Sequence, residues 1–77
     1  MLLFSAGAVF AEDVINGKVK FYNAAKGYGF IIPDNGGQEV FVNYLQLNGL
    51  VLSDGQAVTF ETQQGRRGPE AINIKIR

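Results

Sequence analysis

After residue 13 the chain alternates apolar and polar positions with a period of two, and no 3.6-residue helical period interrupts it. Side chains of a strand point to opposite faces in turn, so this pattern predicts strands throughout. Strand one is expected over residues 14–23, where Lys18, Lys20 and Tyr22 alternate with Val19 and Phe21. Strand two is expected over 26–33, with Lys26, Tyr28 and Phe30 on one face and Gly27, Gly29 and Ile31 on the other. Strand three, 38–43, sets Phe41 and Asn43 against Val40 and Val42. Strand four, 56–62, turns Val58 and Phe60 inward. Strand five directs Ile72, Ile74 and Ile76 inward and Asn73, Lys75 and Arg77 outward.

The breaks between these runs read as turns. Residues 23–26 make a short turn, and Asp34-Asn35-Gly36-Gly37 carries the Asn-Gly hairpin signal. Residues 44–53 form a long apolar connection with a 3₁₀ turn near 45–47, and Leu50 and Leu52 are expected to cover one end of the fold. Residues 63–69 are a loop carrying Arg66 and Arg67. Gly27 and Gly29 weaken a strand, so they need a reason: a tightly coiled small barrel uses them for twist and close approach.

Side by side, strands two and three present a cation and several rings on one surface. Ile31, Val40 and Val42 already fill the opposite face, so rings here meet water unless something stacks on them. Nucleobases offer a π-face whatever their sequence. Tyr28, Phe30 and Phe41 are the expected centre, with Phe21, Tyr22 and Tyr44 around it. Strict alternation buries Phe21 with Val19, and Tyr44 has the opposite parity to Phe41, so the pattern leaves both open.

Lys26 to Ile31, Lys-Gly-Tyr-Gly-Phe-Ile, resembles the first ribonucleoprotein motif, and Val40 to Tyr44, Val-Phe-Val-Asn-Tyr, the second. RNA-recognition-motif domains carry similar strings in the reverse order and need two amphipathic helices. The order found here resembles the cold-shock domain family. Val19-Lys20-Phe21-Tyr22-Asn23 is similar to that family's first strand and Asp54 to Phe60 to its fourth. Gly65 to Ala71 is similar to its last loop and Ala71 to Ile74 to its fifth strand, so the resemblance runs from about Asn16 to about Ile74. It implies an all-β, five-stranded antiparallel OB-type barrel over 14–77. It also implies a single-stranded RNA- or DNA-binding protein of RNA-chaperone type, acting in the cytoplasm in the response to cold. The family puts the residue at the Phe21 position on the binding face, on a strongly coiled or bulged strand. The implied nucleic-acid contacts are Lys18, Lys20, Phe21, Tyr22, Lys26, Tyr28, Phe30, Phe41, Asn43, Tyr44 and Arg67. The family's usual tryptophan is Phe21 here and its usual histidine Asn43, which predicts reduced rather than lost affinity. Tyr22 and Tyr44 replace phenylalanines and keep the ring.

Composition narrows the chemistry. The 77 residues suffice for one small domain. Without cysteine or histidine there is no thiol nucleophile, no thiolate metal site and no imidazole base, so neither an enzyme nor a metal or other cofactor is expected. The net charge is zero, but the charges segregate. Residues 14–30 hold Lys18, Lys20 and Lys26 and no acid; residues 31–65 hold Asp34, Glu39, Asp54 and Glu61 and no base; residues 66–77 hold Arg66, Arg67, Lys75 and Arg77 against Glu70. Positive charge falls in the segment that holds Phe21, Tyr22, Tyr28 and Phe30 and in the last loop. The zero total predicts weak long-range steering.

Residues 1–13 stand outside the barrel pattern. Eleven apolar or small residues precede Glu12 and Asp13, too short a run to span a bilayer. The stretch is read as an apolar leader without a role in function. Two alternatives stand beside it: a remnant of a secretory signal, which would mean export, and a segment packing on the barrel or on a second copy. The expected state is a monomer without membrane attachment, with dimerisation or strand exchange through the leader as the alternative. The competing function is a barrel serving as a protein-interaction or assembly module with weak or no nucleic-acid binding.

Overall fold

A computed structural model describes residues 14–77; the expected leader, with its roles in export or association, lies outside the described residues. Five strands, β1 (Ile15–Asn23), β2 (Tyr28–Pro33), β3 (Val40–Asn43), β4 (Ala57–Gly65) and β5 (Gly68–Ile76), close into a barrel in the order β1-β2-β3-β5-β4. The ladders are antiparallel except at the closure, where β3 and β5 run parallel through the single pair Phe41–Glu70. A 3₁₀ turn (Tyr44–Gln46) follows β3 directly.

The interior is the inward half of the alternation. Val19, Ile31, Val40, Val42, Val58, Phe60, Ala71 and Ile74 are buried in it, and Leu47 and Leu52 close one end with Leu50 packed beside them. Phe60 is the largest side chain fully removed from water. This is the core that the period of two predicts, apart from strand five.

The differences from expectation come from turns and bulges. β2 begins at Tyr28 rather than Lys26. Gly27 ends the preceding turn with φ +76°, a left-handed backbone that suits glycine, and its N–H donates to the Asn23 carbonyl at 2.7 Å. β3 begins at Val40 rather than residue 38. The loop expected over 63–69 shrinks to Arg66-Arg67, because β4 and β5 stay paired up to Gly65–Gly68 and Gly68 takes φ +109°.

Strand five is not a clean alternation. The β4–β5 pairing passes from Thr59–Lys75 to Glu61–Ile72, so β5 carries one extra residue there. Asn73 lies in that stretch with φ +51°. Ala71 and Ile74 are therefore buried three apart: Ile74 is inward as expected, whereas Ile72 is only half-buried, contrary to its expected inward place. Ile76 keeps the inward parity, paired with the buried Val58, and is 43% exposed at the end of the strand.

A matching bulge in β1 decides the position of Phe21. Val19 pairs with Ile31, but Phe21 pairs with Phe30, so Lys20 is the extra residue. Strict alternation fails at this point, and Phe21 faces outward with Phe30.

Candidate nucleic-acid interface

The register of β1, β2 and β3 builds an outward surface in rows. Phe21, Phe30 and Phe41 lie side by side on the three strands, and Asn23, Tyr28 and Asn43 form the next row. Phe21, Tyr28, Phe30 and Phe41 meet as one cluster. Phe30 sits edge-on to Phe41 with centroids 5.7 Å apart, and Tyr28 lies nearly parallel to Phe41 at 6.2 Å. Phe21 is 5.8 Å from Tyr28 and 5.9 Å from Phe30. All four rings are only partly buried, and each leaves surface exposed.

Backbone approach makes the cluster this tight. A Cβ on Gly29 would lie 2.3 Å from the Phe21 carbonyl oxygen and 2.8 Å from the Tyr22 Cα. Glycine lets β1 close on β2 there, which sets Phe21 against Tyr28 and Phe30. The strand glycine of the sequence thus acts through close approach, whereas Gly27 acts through its left-handed turn.

Arg67, at the β4–β5 hairpin tip, places its guanidinium 5.3 Å from the Phe41 centroid, a cation–π contact. Lys26, Tyr28, Phe41, Asn43, Tyr44 and Arg67 line one shallow cleft of about 390 Å³. A second, of about 270 Å³, lies between Phe41, Asn43, Arg66, Arg67 and Glu70. Clefts with an aromatic wall and cationic rims fit a flat ring attached to an anionic backbone.

The remaining expected residues divide. Asn43 faces outward, and its Oδ1 accepts from the Leu45 N–H at 2.9 Å, which starts the 3₁₀ turn and leaves the amide NH₂ available. Tyr44 leaves the sheet, is 59% exposed and packs over Gly27, where a Cβ would lie 2.9 Å from its ring. Tyr22 is not brought onto the aromatic face. It pairs with Gly29 on the inward parity and packs, partly buried, against the core. This follows from the bulge, because Phe21 outward forces Tyr22 inward. Lys18 and Lys20 are exposed and ion-paired, Lys18 Nζ to Asp34 Oδ1 at 3.5 Å and Lys20 Nζ to Glu39 Oε2 at 3.0 Å.

Glu70 was not expected beside the rings. It shares the parity of Ile72, which alternation turned inward, yet it pairs with Phe41 and faces out. Its only sequence signal was its place after the Gly-Arg-Arg-Gly run.

Asp34 accepts from both Lys18 and Arg77. The hydrogen bond from Arg77, helped by the nearby Lys18 and Arg77 charges and opposed by desolvation, holds its carboxyl below the usual aspartate range. Among the described residues no three His, Cys, Asp or Glu side chains gather as a metal site, and no helix is long and apolar enough to cross a membrane.

Comparison with known proteins adds an independent line. The family model described as the 'Cold-shock' DNA-binding domain matches residues 15–76. Cold shock-like protein CspC of Shigella flexneri is 49% identical over 63 residues, covering 78% of this chain and 91% of the relative. Cold shock protein ScoF of Streptomyces coelicolor is 48% identical over 62 residues, covering 77% and 92%. The matched span takes in all five strands.

Proposed function

Because this chain belongs to the cold-shock domain family, whose members bind nucleic acid, we propose that its outward rings stack the bases of single-stranded RNA or DNA. The observation that carries the reading is the cluster of Phe21, Tyr28, Phe30 and Phe41 with Arg67 seated on Phe41. Base–ring stacking contributes about 1–3 kcal/mol per base and tolerates any sequence. A duplex hides its base faces, so an unpaired strand is the preferred target. Lys18, Lys20, Lys26 and Arg67 surround the rings and supply phosphate contacts. A strand held in this way is kept from refolding, which is the work of an RNA chaperone in the cytoplasm. No step of this function calls for catalysis, cofactor or membrane, and one barrel suffices.

A second reading has its own observation. Tyr22, Ala24, Tyr44, Leu47, Leu50 and Val51 line an apolar groove at the barrel end, and Leu45 and Val51 are 65% and 80% exposed. That surface favours a protein-interaction role. Salt separates the two, since phosphate contacts weaken with salt and apolar contacts do not.

The test is tyrosine fluorescence during titration with a seven-nucleotide oligothymidine. The chain has three tyrosines and no tryptophan, so the signal belongs to Tyr22, Tyr28 and Tyr44. Saturable quenching is expected, with a log–log salt slope no steeper than about −3 for four phosphate contacts on a single strand. The double variant Tyr28→Ala, Phe30→Ala should lose most of the affinity. Binding as tight as the parent's in that variant, or no binding by the folded parent at micromolar concentration in low salt, overturns the reading.

A further inference from the structure

Two of the four cations assigned to phosphate are already held by carboxylates, and one of these pairs lies across the site. Lys20 is the extra residue of the β1 bulge, so it faces outward next to Phe21 instead of alternating with it. Its Nζ meets Glu39 Oε2 at 3.0 Å, with the two side chains 48% and 44% exposed. Glu39 immediately precedes β3, and β2 lies between β1 and β3 in the barrel. The pair therefore bridges three strands over the outer side of β2, beside the Phe21–Phe30–Phe41 row.

We propose that Glu39 is an internal competitor for the strand: it occupies the Lys20 ammonium in the free protein and gives way to a backbone phosphate on binding. The proposal rests on the base-stacking reading above and adds its regulation. A carboxylate and a phosphodiester ask the same thing of a lysine, a point charge with N–H donors. Both side chains are about half exposed, so the pair is weak enough to exchange. The exchange also leaves Glu39 unpaired beside the incoming phosphate, which adds repulsion to the lost contact. Glu39 thus lowers affinity in a graded way and shortens the residence of the strand. It also gives the zero net charge a local meaning: the acids of the 31–65 segment fold back onto the lysines of the 14–30 segment, as Asp34 does onto Lys18 at 3.5 Å.

A double-mutant cycle on the full chain tests this, with oligothymidine titrated at low salt into the parent, E39Q, K20M and E39Q/K20M. E39Q should bind about two- to fivefold tighter than the parent, the range that an exposed ion pair spans. In the K20M background the same substitution should change binding by less than half that factor, because the gain runs through Lys20. E61Q removes an equal charge from β4, away from the rings, and should leave affinity near the parent value. No gain in E39Q, or the same gain with and without Lys20, overturns the proposal while the stacking reading stands. Failure of both the folded parent and E39Q to bind any oligothymidine removes the stacking reading, and this inference with it.

Discussion

Truncating Phe41 separates stacking from scaffolding. Phe41 touches Tyr28, Phe30 and Arg67, so Phe41→Ala removes three ring contacts and one base platform together. Aromatic pairs contribute about 0.5–1.5 kcal/mol each and an exposed cation–π contact about 0.5–1. These contacts are then worth about 1.5–4 kcal/mol beyond the apolar area they bury, and the lower half of that range fits a ring still partly in water. A 77-residue domain holds roughly 4–12 kcal/mol in all, so the variant stays mostly folded when kept cool. Loss of one stacked base takes a further 1–3 kcal/mol from binding, about 5- to 150-fold. Phe41→Leu keeps apolar bulk while removing the π-face, so it should retain more stability yet lose nearly as much affinity. Urea unfolding gives the first quantity, and oligothymidine titration near 15 °C gives the second. A folded Phe41→Ala that binds within twofold of the parent refutes the argument. So does a Phe41→Leu that recovers full affinity, because bulk and not the ring would then be what matters.

Two other perturbations probe the scaffold. Gly29→Ala puts a methyl 2.3 Å from the Phe21 carbonyl oxygen, so β1 must shift; we expect about 1–3 kcal/mol of destabilisation in urea and weaker binding, and unchanged values for both would contradict the close-approach account. Asp34 titrates below its usual value in the folded state, so its stabilising contribution is present above about pH 3.9 and is lost as pH falls through the depressed folded value. Asp34→Asn should accordingly flatten the acid limb of melting temperature against pH, and curves that run parallel between parent and variant from pH 7 to pH 2 would exclude that role.

The strands and their inward faces were legible in the sequence because period-two alternation survives in β2, β3 and most of β4, while their closure into a barrel came from the resemblance to the cold-shock family. The core positions Ile31, Val40, Val42, Val58 and Phe60 come from that pattern, and so do the outward Tyr28, Phe30 and Phe41. Bulges were not legible. An extra residue changes the face of everything on one side of it but needs no special side chain. Lys20 gives no sign that the phase slips there, so the alternation left Phe21 open and turned Tyr22 to the wrong face; only the family resemblance placed Phe21 outward on a bulged strand. Asn73 gives a faint sign, as asparagine tolerates left-handed backbone, yet it lies in a row of alternating isoleucines that masks the slip. That slip also misdirected Ile72 and concealed Glu70. Contacts between distant segments, such as Arg67 on Phe41 or Glu39 on Lys20, depend on barrel closure and have no local trace.

The parallel closure has a mechanical consequence. A single rung, Phe41–Glu70, joins the four-residue β3 to β5, so the cylinder has a zipper line there rather than a uniform wall. Arg67 and Phe41 face each other across that line. A strand gripped by both would act as a suture, and by mass action whatever fastens the closed form deepens its well. Amide protons of β3 should therefore exchange early in the free protein and slow most when a strand is bound, so that the least secure joint becomes the one that reports occupancy.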